Sequence, residues 1–185
     1  KSQQKAEAAI KAGRFKSQIV PLTVKRQKQL PNGHFVYEDF IFDTDEGMRP
    51  GTTKESISTI PPAFKPKGSV TAGNSSQTSD AAAGVVLMSK EKARELGLKP
   101  MATFRWHAVE GCEPEYMGVG PAVAIPKVLK ISGMSLDQIN LIELNEAFAA
   151  QAIYCIKKLG INEEITNVNG GAVALGHPLG CTGSK

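Results

Sequence analysis

Apolar positions are scattered over the first third of the chain and then settle into short apolar runs alternating with helical stretches. Lys1 to Ala12 is rich in Ala, Gln, Lys and Glu, and Gly13 stands where a helix would end, which predicts a first helix. Gln18 to Val24 and Phe35 to Phe42 read as two strands around the turn Pro31-Asn32-Gly33, with Pro21 restricting the first to a sheet edge. Thr52-Thr53-Lys54-Glu55 has capping-box spacing and predicts a short helix that Pro61-Pro62 stops. So many prolines and so few long elements suit an excursion inserted between more regular units.

From Ser69 onward the pattern changes. Val85 to Met88 is apolar and precedes the helical Lys90 to Leu96, closed by Gly97. Phe104 to Val109 predicts a strand, Ala122 to Ile131 a helix after Gly120-Pro121, Ile139 to Leu144 a strand, and Ala147 to Leu159 a helix ended by Gly160. That β-α-β-α rhythm predicts an α/β fold whose mixed or parallel sheet has covered faces.

Composition narrows the function classes. Among 185 residues, 41% are hydrophobic and 22% charged, enough to fill a core. No apolar run approaches the ~18 residues of a membrane span, and the Lys1-Ser2-Gln3-Gln4 start carries no signal core, so a secreted protein is not expected. Three cysteines without paired spacing point to a reducing compartment. The net charge of +4 suits a phosphate-bearing ligand, but its lysines are dispersed, which argues against nucleic-acid binding. His34 in the hairpin turn and His107 on a predicted strand have no ligands at metal spacing, so no metal site is expected.

The chemistry concentrates near the end. Asn167 to Gly183 strings five glycines around His177, and such a loop can bring backbone amides onto a developing oxyanion beside an imidazole that titrates near neutrality. A tight turn with a solvated histidine is the plain alternative. Asn145 follows a predicted strand and precedes a helix, where ligands gather in open α/β sheets and where asparagine also serves as an N-cap. Taken with Leu144-Asn145-Glu146-Ala147-Phe148-Ala149-Ala150-Gln151 and Thr71-Ala72-Gly73-Asn74-Ser75-Ser76-Gln77, the glycine loop resembles that of the thiolases, enzymes that cleave or form β-ketoacyl-CoA thioesters.

The resemblance covers essentially the whole chain and implies the thiolase fold: part of the mixed five-stranded sheet of the C-terminal βαβαβαββ half (69–185), plus part of the inserted CoA-binding loop domain (1–68). It implies that the acyl-accepting cysteine lies upstream of residue 1 and a second catalytic cysteine downstream of Lys185, so that the chain is an internal fragment, inactive alone. His177 would activate the nucleophile, and Asn145, thirty-two positions earlier, would hold a water that polarises the thioester oxygen. Arg49 and Ser56 match positions at the nucleotide end of CoA, Ala72 and Ser76 the pantetheine tunnel, and Met117, Ala147 and Phe148 the apolar wall around the thioester. Cys181, four residues from His177, matches a cysteine that is not the nucleophile, and Glu146 is assigned to hydrogen-bonded structure. Gln77, Leu179 and Cys181 favour the degradative 3-ketoacyl-CoA thiolase of fatty-acid β-oxidation. A biosynthetic acetoacetyl-CoA thiolase, or a non-catalytic acyl-CoA-binding protein on the same fold, is the alternative. The resemblance implies no cofactor beyond CoA as substrate, a homodimer or homotetramer, and a bacterial cytoplasm, peroxisome or mitochondrion.

Overall fold

The computed structural model describes residues 1–185. Its helices are α1 (Ser2–Lys11), α2 (Lys54–Ser58), α3 (Lys90–Glu95), α4 (Gly120–Ser132), α5 (Ala149–Leu159) and α6 (Ala172–Leu175), and its two strands are β1 (Leu22–Gln29) and β2 (Phe35–Phe42). The strands pair antiparallel, Leu22 opposite Phe42 through Gln29 opposite Phe35. β1 starts after Pro21 rather than at Gln18: the ring that lacks an N–H stands before the ladder, not at its edge.

The helix caps explain where the helices end. α4 and α5 close on Gly133 (φ 68°) and Gly160 (φ 66°), left-handed positions that glycine occupies without a Cβ clash. Pro121 sits in the first turn of α4, where its missing N–H costs no helix bond. At α2 the capping box forms one residue later than the spacing predicts. The Thr52 hydroxyl donates to the Arg49 carbonyl, so Thr53 becomes the cap and exchanges bonds with Ser56 at 3.0 and 3.1 Å.

The expected strands at Val85 to Met88, Phe104 to Val109 and Ile139 to Leu144 do not pair into a sheet. The only trace is a parallel bridge from Ile142 to Thr166. A strand needs a neighbour to satisfy its backbone groups, and within these 185 residues the first two segments have none; Val86 is 84% exposed and Leu87 79%. Only 16 of 185 residues are buried, so the chain covers little of its own apolar surface. The core that does form joins Leu144 to Ala152 and Cys155 of α5, with Ala122, Ile142 and Ile156 packed on it. Cys155 Sγ lies 3.6 Å from the Gly118 carbonyl oxygen, and burial pushes its thiol above the usual range.

α1 lies across the glycine-rich segment. Ala6 and Ala9 are buried there, and a Cβ on Gly170 (φ 93°) would come within 2.7 Å of the Ala6 Cβ. The Ser2 hydroxyl accepts from the Gly171 N–H, and the Gln3 amide donates to the Val173 carbonyl. Lys5 donates to the carbonyls of Glu163 and Thr166. The loop carrying His177 is therefore clamped from outside by the first helix.

Candidate active site

His177 and Asn145 meet across thirty-two residues, with Asn145 Nδ2 3.3 Å from His177 Nε2. His177 borders a cleft of about 670 Å³ that also takes in Ser76, Met117, Ala147, Phe148 and Leu179. Five of the nine predicted site residues line this cleft, and Asn145 joins through its bond to His177. A cleft of this size, part apolar and part polar, fits an extended organic ligand.

The residues around Asn145 are extended, not helical. Ser75 bridges Phe148, the Ser76 N–H donates to the Ala147 carbonyl at 2.9 Å, and α5 begins only at Ala149. Phe148, with φ −139° and ψ 140°, is the N-cap. Asn145 is therefore no helix cap, and its amide is free to face the histidine. Alternation in an extended segment sends the next side chain the other way. Glu146 accepts from Asn167 Nδ2 and from the Val173 N–H, both at 3.2 Å. A Cβ on Gly171 would collide with that carboxylate, which is why the loop needs glycine there. Partial desolvation, and then the Glu146 charge, hold the neighbouring Glu143 carboxyl above the usual carboxylate range, with Lys5 opposing.

Asn167 ties the two segments together. Its Oδ1 accepts from the Leu144 N–H and its Nδ2 donates to the Leu144 carbonyl, each at 2.8 Å, while its backbone N–H donates to the Ile142 carbonyl. The residue is buried and left-handed, with φ 47°. Sequence reasoning passed over Asn167 and Thr182. The available signals were an asparagine three residues before Gly170-Gly171, a residue type that tolerates left-handed backbone, and a hydroxyl five residues past the histidine.

One expectation is overturned. The amides of residues 170–176 do not converge on the cleft. Those of Gly170, Gly171, Val173, Ala174, Leu175 and Gly176 are already taken by Asn167, Ser2, Glu146, Gly171 and Ala172. Three of the loop's five glycines serve close packing: besides Gly170 and Gly171, a Cβ on Gly176 (φ 87°) would sit 2.5 Å from the Ser79 hydroxyl.

Cys181 is buried and neither ring nitrogen of His177 reaches it, because Nε2 faces Asn145 and Nδ1 faces Thr182 at 2.8 Å. A nucleophilic thiol needs such a base, so the geometry agrees with a packing role. Cys112, half-buried, points its sulfur toward the carbonyls of Tyr116 and Met117.

Arg49, Ser56 and Ala72 lie outside the cleft lining. Arg49 is exposed, and its backbone N–H donates to the Gln3 side chain. The Ser56 hydroxyl is engaged in the α2 cap, donating to the Thr53 carbonyl and accepting from its N–H. Ala72 opens a 3₁₀ turn whose Gly73 abuts Ile57 and Ile60, so this turn links the α2 region to Ser76 at the cleft.

The chain matches two family models, described as thiolase, N-terminal domain, over residues 1–91 and thiolase, C-terminal domain, over residues 98–185. A 3-ketoacyl-CoA thiolase of Bacillus subtilis is 55% identical over 185 residues, all of this chain and 47% of the relative. The chain belongs to the thiolase family. It spans about half the length of the relatives it matches. Its backbone follows the thiolase fold: the acetyl-CoA acetyltransferase of Bacillus anthracis superposes with TM-score 0.88 at 45% identity, over 99% of this chain and 44% of that one. The dimeric peroxisomal thiolase of Saccharomyces cerevisiae gives 0.83 at 48%, over 99% and 43%. Sheet neighbours for the exposed, unpaired segments 85–88 and 104–109 of this thiolase chain have room in the remaining length of such relatives.

Proposed function

We propose that these residues act within a degradative 3-ketoacyl-CoA thiolase, in which 1–68 form part of the CoA-binding loop domain and 69–185 the first part of the C-terminal domain. The observation that carries the proposal is the His177–Asn145 contact at 3.3 Å on the cleft. A cysteine thiolate of the intact enzyme attacks the ketone carbon of 3-ketoacyl-CoA, its proton having passed to His177. The bond between the α-carbon and that carbon breaks, the α-carbon takes a proton and leaves as acetyl-CoA, and the acyl group stays on sulfur. The thiolate of a second CoA then attacks the acyl carbonyl and releases the cysteine. Asn145, through a water, and the protonated His177 stabilise the oxygen that bears the developing charge. CoA enters as substrate, and thiolate and imidazole supply the chemistry without a metal or redox group. The enzyme is a homodimer or homotetramer in a bacterial cytoplasm, a peroxisome or a mitochondrion.

Gln77, whose amide donates to the Ala174 carbonyl at the cleft wall, and Leu179, 84% exposed on its rim, favour substrates longer than acetoacetyl-CoA. Similarity to an acetyl-CoA acetyltransferase favours the biosynthetic reading. Thiolysis rates of the full-length gene product decide between them: kcat/KM is expected to be higher for medium- and long-chain 3-ketoacyl-CoA than for acetoacetyl-CoA. The reverse order supports biosynthesis, and acyl-CoA binding without turnover supports a binding module.

Arg49 is proposed to hold the nucleotide end of CoA. Arg49→Ala should then weaken CoA more than a pantetheine thioester lacking the nucleotide. The difference should shrink with added salt, because an exposed charge is screened over about 10 Å at 0.1 M. Calorimetric titration of the full-length enzyme with both ligands tests this, and equal losses for the two return Arg49 to ordinary surface.

A further inference from the structure

We propose that Thr182 is a positioning residue that holds His177 in the tautomer with its proton on Nδ1, so that Nε2 presents a lone pair to the cleft. A threonine hydroxyl has one hydrogen and two lone pairs. Thr182 Oγ1 lies 2.9 Å from the Pro178 carbonyl oxygen and 2.8 Å from His177 Nδ1. A carbonyl only accepts, so the hydroxyl hydrogen must point at it, in the bond threonine commonly makes four residues back. The Pro178 oxygen also takes the N–H groups of Cys181 and Thr182 at 3.0 Å. That does not release the hydroxyl, because two oxygens 2.9 Å apart with no hydrogen between them repel. With its hydrogen committed, Oγ1 faces Nδ1 with a lone pair, and Nδ1 must carry the proton. On the other side of the ring Asn145 Nδ2 offers only hydrogens, so Nε2 must accept. Two neighbours on separate segments thus select one tautomer.

The catalytic consequence rests on the proposed function. A neutral ring whose Nε2 lone pair is held only by the Asn145 amide can exchange that bond for a thiol proton and then donate it, as Nε2–H, to the developing oxyanion. The other tautomer already has a hydrogen there and cannot take the proton at that face. Thr182 is half-buried and touches no reacting group, so it acts through the histidine alone.

The test uses the full-length protein labelled with ¹⁵N-histidine, at a pH where the ring is neutral. This chain contributes only three histidines, and His34 and His107 are exposed, so H34Q and H107Q variants help isolate the His177 signals. The wild type and T182S are expected to show pyrrole-type Nδ1 and pyridine-type Nε2, and T182V an average of the two tautomers. Thiolysis by T182V should fall about 10- to 100-fold in kcat/KM, by analogy with the loss of the hydrogen-bond partner that orients a metal-ligating histidine, and T182S should retain most of the rate. A wild-type ring protonated on Nε2, a T182V ring that keeps the single Nδ1–H form, or T182S as slow as T182V overturns the assignment. If the protein turns over no 3-ketoacyl-CoA, the proposed function falls while the nitrogen shifts still decide the role of Thr182.

Discussion

Replacing His177 by alanine in the intact enzyme is expected to lower kcat by about 10²- to 10⁴-fold, the range for losing a general acid–base group, with a much smaller change in KM. The imidazole is half-buried and bonded on both nitrogens, to Asn145 at 3.3 Å and Thr182 at 2.8 Å. It is therefore already placed before substrate arrives, and its interactions strengthen only as charge moves in the transition state. Asn145→Ala should be milder, removing one donor of an oxyanion site, worth at most ~3 to 4 kcal/mol. Because the two side chains touch, the double variant should lose less than the product of the single losses. Steady-state kinetics of the three variants checks this. Losses confined to KM would place both residues in ground-state binding instead.

How much of this could be read from the sequence depends on the range of the forces involved. α4 and α5 are local: their apolar spacing and the glycines at 133 and 160 fix them within a residue or two. The segments 85–88 and 104–109 carry the composition of strands, but a ladder depends on a partner that local pattern cannot supply, and here they remain unpaired. Asn145 and His177 were legible because their residue types and spacing match a family motif. The direction of Asn145 was not, since it depends on Ser75 and Ser76 drawing residues 147 and 148 into an extended bridge. Glu146 was placed correctly in structure but for a different reason. The expected assignment treats 145 and 146 as adjacent helix positions that point differently; in the structure it is extended alternation that sends Glu146 to Asn167 and Val173. Gly170, Gly171 and Gly176 misled because their missing side chains serve contacts with Ala6, Glu146 and Ser79, none of them near in sequence.

Asn167 carries the second large effect, on stability. Its side chain closes a two-bond ring with the Leu144 backbone, and Leu144 is buried. In Asn167→Ala both Leu144 groups lose their partner, and each buried unsatisfied group costs about 1–3 kcal/mol. Alanine must also adopt the left-handed φ of 47° without the polar side chain by which asparagine offsets part of the ~1–2 kcal/mol that this conformation costs a residue with a Cβ. The expected destabilisation is on the order of 3 to 5 kcal/mol, less than the sum of the upper limits because local relaxation admits water. Asn167→Gly separates the two causes: glycine restores the backbone but not the bonds, so it should lie about 1 kcal/mol above alanine and well below the wild type. Urea unfolding of the full-length protein and both variants measures the order. Equal midpoints for alanine and glycine would remove the backbone contribution, and wild-type midpoints for both would remove the strap. Because the strap joins the segment bearing Asn145 to the loop bearing His177, folded Asn167→Gly should also, on the proposed function, turn over more slowly than its stability alone explains: the 3.3 Å contact between those two side chains is held from behind by this buried amide, together with the Glu146 bond to the Val173 N–H.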